Sequence, residues 1–194
     1  MINITFQNRN FVHFWHKKSY NRINDRKRFN QGGYEDMDKS KLVKIGHSDV
    51  YATPLGLGTN AVGGYNLFPN LKDEDGRALV RAALDNGINL LDTAYVYGLG
   101  HSEELVGEVM KEYDRDKIVL ATKGAQDFAT GEQVIDNSPQ FLTDQVNQSL
   151  KRLGVDYIDI FYIHFPDHDT PKAEAVGALQ KLKEAGKIRA IGIS

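Results

Sequence analysis

The 194-residue sequence contains no cysteine. That absence excludes disulfides, thiol nucleophiles and cysteine-ligated zinc, and it leaves the redox compartment unconstrained. Long apolar runs are missing too, since none approaches the ~20 residues of a membrane span. Nor is there an excess of positive charge: 24 Lys and Arg face 26 Asp and Glu, a formal net charge of −2. The basic character that exists is concentrated before Met37, where seven Lys/Arg accompany three Asp/Glu, leaving seventeen against twenty-three in the remainder. An acidic body lacks the basic face that phosphate neutralisation requires. A cytoplasmic protein that binds neither nucleic acid nor membrane is therefore expected, with oligomeric state left open.

With 41% apolar residues the chain can bury a core as one domain. Residues 1–36 stand apart, rich in Asn, Arg and Lys, without apolar periodicity and without the apolar centre of a secretion signal. They are expected to be a disordered or non-native leader. Gln31-Gly32-Gly33 is codable by a ribosome-binding sequence, which marks Met37 as a candidate start. From Lys41 onward the pattern changes. KLVKIGHSDVYA reads as a hairpin turning at Gly46 to Asp49, a lid on one end of the fold, and Leu55 to Gly58 reads as a strand. Asp73 to Asn86 predicts a helix with Leu79, Val80, Ala83 and Leu84 inward.

Ile88 to Leu91 predicts a buried strand ending at Asp92, after which Ser102 is expected to cap a helix whose first turn holds Glu103 and Glu104. Ile118 to Thr122 is a strand ending in Lys123. Ser138-Pro139 then opens a helix with Leu142, Val146, Leu150 and Leu153 inward, ended by Gly154. The strand Ile158 to Ile163 runs into His164, and Thr170-Pro171 opens a helix with Ala175, Leu179 and Leu182 inward. Ile188 to Ser194 is a last strand. Strands alternating with helices predict an α/β fold with a parallel sheet and right-handed crossovers, here four strand-helix units and a fifth strand.

Each strand ends in a polar residue: Thr59, Asp92, Lys123, His164 and Ser194. In such folds ligands bind where the carboxyl ends of the strands emerge, and Lys and Asp are almost never buried unless paired. Asp92, Lys123 and His164, with Tyr97 on the loop after Asp92, are therefore expected to converge. A phenol gives up its proton in water only near pH ~10, so as an acid near neutrality it needs a cation beside it. Lys123 supplies the cation, Asp92 pairs with Lys123, and His164 can donate a hydrogen bond to an oxygen bound next to Tyr97. The set suits proton delivery to a carbonyl oxygen. It contains no electron source, so reduction would need a hydride-carrying cofactor. No metal site is expected.

The motifs GLGTNAVGG (Gly56 to Gly64), NLLDTAYVYGLGHSEELVG (Asn89 to Gly107), LATKG (Leu120 to Gly124), DYIDIFYIHFPD (Asp156 to Asp167) and GKIRAIGIS (Gly186 to Ser194) resemble the aldo-keto reductase family. They are similar to its bacterial branch typified by the inositol-operon reductase, from Lys41 to the last residue. The resemblance implies a parallel (β/α)8 TIM barrel that uses a nicotinamide cofactor, usually NADPH, to reduce aldehydes and ketones to alcohols. It implies a catalytic role for Asp92, Tyr97, Lys123 and His164, with Tyr97 as the general acid. Cofactor contacts would fall on Gly58, Thr59, Asn60, Asp92 and Ser194. A complete barrel of this kind takes ~250 residues. Ser194 precedes the last three strands, so a fragment with negligible turnover of its own is expected.

Two other patterns suggest rival enzymes, and both lack the right context. Gly56-Leu57-Gly58-Thr59-Asn60-Ala61 matches a dinucleotide-binding fingerprint, but Gly63, Gly64 and Pro69 interrupt the helix that should follow. Tyr113 and Lys117 have the spacing of a short-chain dehydrogenase pair but bracket Asp114-Arg115-Asp116, a solvated turn. A non-enzyme alternative shares the fold: potassium-channel β subunits resemble this family and serve mainly as binding partners, so a nicotinamide sensor or scaffold is the second reading. His101 and His168 are expected to be solvated loop residues, while Tyr65, Asn66, Leu67 and Phe68 are candidates for lining the pocket.

Overall fold

The computed structural model describes residues 42–128 and 131–194. The expected leader and the candidate start at Met37 lie outside the described residues. A hairpin of β1 (Val43–Lys44) and β2 (Tyr51–Ala52) comes first, antiparallel and turning through Gly46 to Asp49 as its sequence predicts. The main sheet follows: β3 (Gly56–Gly58), β4 (Leu90–Asp92), β5 (Val119–Gly124), β8 (Ile158–Ile163) and β9 (Ile188–Ile193). These five strands are parallel and adjacent in chain order, with helices in the crossovers, so the chain forms an arc of a (β/α)8 barrel.

The crossover helices are α2 (Asp73–Asp85), α3 (His101–Met110), α4 (Pro139–Leu153) and α5 (Lys172–Glu184). Ser138 caps α4 by accepting from the Phe141 amide, and Gly154 stops it at φ +65°. Leu142, Val146 and Leu153 of that helix are fully buried against Leu120 and Phe161 of the sheet. Two details differ from the sequence pattern in α2 and α3. Leu79 is 42% exposed, because Gly76, Val80, Ala83 and Leu84 form the inner stripe. Gly76 sets that stripe: a Cβ there would lie 2.3 Å from the Val62 carbonyl oxygen, so only glycine lets α2 seat so close to the turn α1 (Asn60–Gly63). Ser102 does not cap α3. Gly100, at φ +100°, precedes the helix, and Ser102 lies inside it.

A second hairpin, β6 (Gln126–Asp127) with β7 (Val134–Ile135), sits between β5 and α4. No hydrophobic alternation announces strands this short. The sheet's two faces have different covers. Leu91, Leu120 and Phe161 pack into the helices, whereas Val119, Ala121, Ile160 and Ala190 pack under Val50 and Ala52 of the first hairpin. Lys123 follows Val119 and Ala121 by the two-residue alternation of a strand, so it emerges on the hairpin's face beyond the hairpin's reach. Among the described residues no helix is long and apolar enough to cross a membrane.

Candidate active site

The polar strand ends meet at the carboxyl edge of the sheet. Lys123 is 7% exposed, and its ammonium spends its hydrogens locally. Nζ donates to Asp92 Oδ1 at 2.7 Å and to the Thr93 carbonyl at 2.9 Å, and it lies 3.5 Å from the Tyr97 hydroxyl oxygen. An ammonium has three donors and no acceptor, so the Tyr97 oxygen receives the third hydrogen. The phenol's own O–H is thereby left to point elsewhere. Nζ also stands 5.1 Å from the Tyr97 ring centroid. Asp92, Lys123 and Tyr97 thus come together as their sequence positions suggest.

His164 joins them through the backbone, its amide donating to the Gly124 carbonyl at 2.7 Å and so continuing the ladder beside Lys123. Burial, with the Lys123 charge adding to it, pushes the imidazole pKa down to about 4. His164 is therefore neutral near pH 7. Its Nδ1 is buried and has no hydrogen-bond partner among the described residues. Phe165 stacks on the imidazole at 4.6 Å between ring centroids and has φ +74°, a strained value for a phenylalanine. Four bonds hold that conformation in place: Asn137 Nδ2 donates to the Phe165 carbonyl, the Phe165 amide donates to the Ser194 carbonyl, the Asn137 amide donates to Asp167 Oδ2, and the Asp167 amide donates to Asn137 Oδ1.

The expected cofactor residues divide by position. Gly58 is in register with Asp92, and a Cβ there would meet nothing within 4 Å, so the end of β3 leaves open space beside the carboxylate. Asn60 opens the single helical turn that follows and is partly exposed. Thr59 between them is fully buried, with its hydroxyl shared between the Asp92 carbonyl and Ser102 Oγ, so it holds the turn rather than facing the opening. Ser194 follows β9 and is exposed, its amide bonded to the Ile163 carbonyl.

Several residues that support this site carry no obvious sequence signal. Glu103 is fully buried rather than solvated at the start of α3, where its carboxylate accepts from Thr122 Oγ1 and from Arg152 Nε, each at 2.6 Å. Thr122 precedes Lys123, and Arg152 lies over the Tyr95 ring at 5.0 Å. One clue was available: Glu103, Val106, Gly107 and Met110 share the three- and four-residue spacing of the helix's inner face.

His101 likewise is no solvated loop residue. It begins α3 and contacts Asp73 Oδ1 at 2.8 Å and Glu104 Oε2 at 3.4 Å. The Asp73 hydrogen bond, assisted by Glu104 and opposed by burial, raises its pKa above the ordinary 6.5. A raised folded-state value means that this stabilisation is complete below pH 6.5 and is lost as pH climbs through the folded pKa. His164 works in the opposite direction between pH 6.5 and about 4, so the His101 contribution must be isolated by difference. The urea-midpoint gap between wild type and His101→Gln is expected to be larger at about pH 5.5 than at about pH 9. A gap independent of pH would refute it.

The aldo/keto reductase family profile matches residues 54–194. The aldo-keto reductase YhdN of Bacillus subtilis is 42% identical over 155 residues, which cover 79% of this chain and 46% of that protein. The NADH-specific methylglyoxal reductase of Escherichia coli is 39% identical over 168 residues, 78% of this chain and 51% of that protein. Among solved structures, the holo form of aldo-keto reductase AKR11C1 from Bacillus halodurans superposes with a TM-score of 0.71 at 35% identity, covering 79% of this chain and 50% of that one. The glycerol dehydrogenase AKR11B4 from Gluconobacter oxydans gives 0.70 at 40% identity, with 79% and 48% covered. The chain spans about half the length of the curated relatives it matches. With its parallel strand order, its strand-end cluster and this breadth of similarity, the chain belongs to the aldo/keto reductase family.

Proposed function

We propose that the protein containing this chain reduces an aldehyde or ketone to an alcohol with a nicotinamide cofactor, with Tyr97 as the proton donor. The observation that carries this reading is the Lys123 ammonium, whose contacts with Asp92, Thr93 and Tyr97 use all three of its hydrogens and leave the phenol's proton free for a substrate oxygen. Lys123 favours the negative charge that develops on the phenol as that proton leaves. Asp92 fixes the ammonium and balances its charge. Neutral His164 donates a hydrogen bond to the carbonyl oxygen and orients it toward Tyr97.

A bound nicotinamide cofactor supplies the hydride that no side chain can. The open space beside Gly58 suits the close approach of such a group to the sheet edge. Gly58, Asn60, Asp92 and Ser194 are the residues assigned to hold it, with Thr59 keeping their turn in shape. NADPH is the expected form; the Escherichia coli relative is named NADH-specific, while a Schizosaccharomyces pombe relative, 38% identical over 154 residues, is named for NADP(+). A cytoplasmic location belongs to the same reading.

The test is oxidation of NADPH or NADH by the full-length protein across a panel of small aldehydes and ketones, beside quenching of the cofactor's fluorescence. Turnover with at least one carbonyl is expected. Quenching without turnover would replace the reductase with a nicotinamide sensor.

A further inference from the structure

Tyr97 sits on a loop, and a loop must be held if its side chain is to be placed to within a fraction of an ångström. We infer that Asn66, on the loop after β3, is a positioning residue that clamps the backbone on both sides of Tyr97 and so sets the phenol's place against Lys123. The inference rests on the assignment of Tyr97 as proton donor. Asn66 Oδ1 accepts from the Gly98 amide at 2.7 Å, and Asn66 Nδ2 donates to the Val96 carbonyl at 3.0 Å. Val96 and Gly98 are the two neighbours of Tyr97. The amide's orientation is settled chemically, because one partner can only donate and the other can only accept.

The clamp's own base is fixed. A Cβ on Gly98 would lie 2.1 Å from the Gly63 carbonyl oxygen, and Gly98 has φ +69°, so the Tyr97 loop presses against the end of α1 in a way only glycine permits. Gly64 accepts the amides of Leu67 and Phe68 at its carbonyl, which makes a closed turn around Asn66. The Tyr65 ring lies 5.9 Å from the His101 ring, a further contact between the two segments. Inside the Tyr97 loop, the Tyr97 amide donates to the Ala94 carbonyl and the Ser102 amide donates to the Tyr97 carbonyl. Val96 and Gly98 are thus held by a side chain from outside the loop, while Tyr97 itself is held from within. The loop after β3 acts on the proton donor directly, so Asn66 is committed to this clamp rather than free to line a pocket.

Asn66 is exposed, so truncating it removes two bonds without opening a core. Asn66→Ala in the full-length protein is expected to lower kcat about 10- to 100-fold, the scale of a small misplacement of a reacting group. Cofactor Kd should stay within about twofold and Tm within about 3 °C, as for a surface substitution. Hydrogen exchange of the Gly98 amide should accelerate in the same variant, a readout independent of turnover. Asn66→Gln, which keeps the amide on a longer stem, should recover part of the lost kcat. Tyr97→Phe run alongside separates the two levels. If Tyr97→Phe lowers kcat by about 10²-fold or more while Asn66→Ala leaves kcat within about twofold, the clamp is overturned alone; if Tyr97→Phe keeps kcat within about tenfold of wild type, the proton-donor assignment falls and takes the clamp with it. A kcat loss in Asn66→Ala matched by an equal loss of cofactor affinity would also overturn the clamp.

Discussion

Tyr97→Phe is expected to lower kcat for carbonyl reduction by about 10²- to 10⁴-fold in the full-length protein, the range that a positioned general acid contributes. The substitution removes one oxygen and little else. A phenylalanine ring keeps the volume of the loop side chain and the face presented to the Lys123 ammonium, which stands 5.1 Å from the ring centroid. What it loses is the hydroxyl 3.5 Å from Nζ, which among the described residues is the acceptor for the third ammonium hydrogen. That hydrogen would then turn to water or to substrate, and the carbonyl oxygen would be left without its proton source. Cofactor Kd should change by less than about twofold, because Gly58, Asn60 and Asp92 are untouched, and a loss confined to kcat marks an interaction made chiefly in the transition state. A kcat within about tenfold of wild type would remove Tyr97 from the role.

How much of this was legible in the sequence depends on the range of the interaction. Asp92, Lys123 and His164 each end a short apolar run, and a parallel sheet brings such ends to one edge whatever the details between them, so their convergence could be read from alternation alone. The ion pair of Lys123 with Asp92 follows from the same geometry and from the cost of burying a lone charge. Asn66 was not legible. It is 30 residues from Val96 and 32 from Gly98, and an exposed Asn in a Gly-rich stretch reads as ordinary turn chemistry.

Ser102 misleads for a related reason. A serine followed by two acids is a common way to begin a helix, but the Thr59 carbonyl and hydroxyl, 43 residues away, lie 2.8 and 3.0 Å from its Oγ. With that hydroxyl turned inward, Gly100 takes the position before α3. Glu103 follows the same logic, as its partner Arg152 is 49 residues on and belongs to a different helix. Tertiary partners decided these positions, and the local patterns that favour a cap or a solvated acid were overridden.

The fold's largest single vulnerability is expected at the opposite end of the sheet, where Asp159→Ala should cost about 3 kcal/mol of stability. Asp159 is fully buried near the start of β8. Its Oδ2 accepts from Arg115 Nη2 at 2.8 Å and from the Leu120 amide at 2.9 Å, and its Oδ1 accepts from Arg189 Nη1 at 2.8 Å. Alanine would leave Arg115 without its carboxylate partner and Arg189 with only the exposed Asp49 carboxylate at 3.2 Å, and it would leave a buried strand amide unpaired. Arg115 also stacks over the Tyr157 ring at 4.0 Å and donates to the Ile118 and Tyr157 carbonyls, so it cannot swing out without losing these contacts as well. Both arginines are partly reached by water, at 21% and 36% side-chain exposure, which sets the loss at the low end of the range for a broken buried pair. For a chain of this size or somewhat larger, that corresponds to a fall in Tm of about 6–12 °C. Asp159 is remote from Tyr97 and Lys123, so kcat measured well below the lowered Tm should stay within about threefold of wild type. A Tm within about 2 °C of wild type would mean that the two arginines find other partners, and that the carboxylate is not what ties β5, β8 and β9 together at their amino ends.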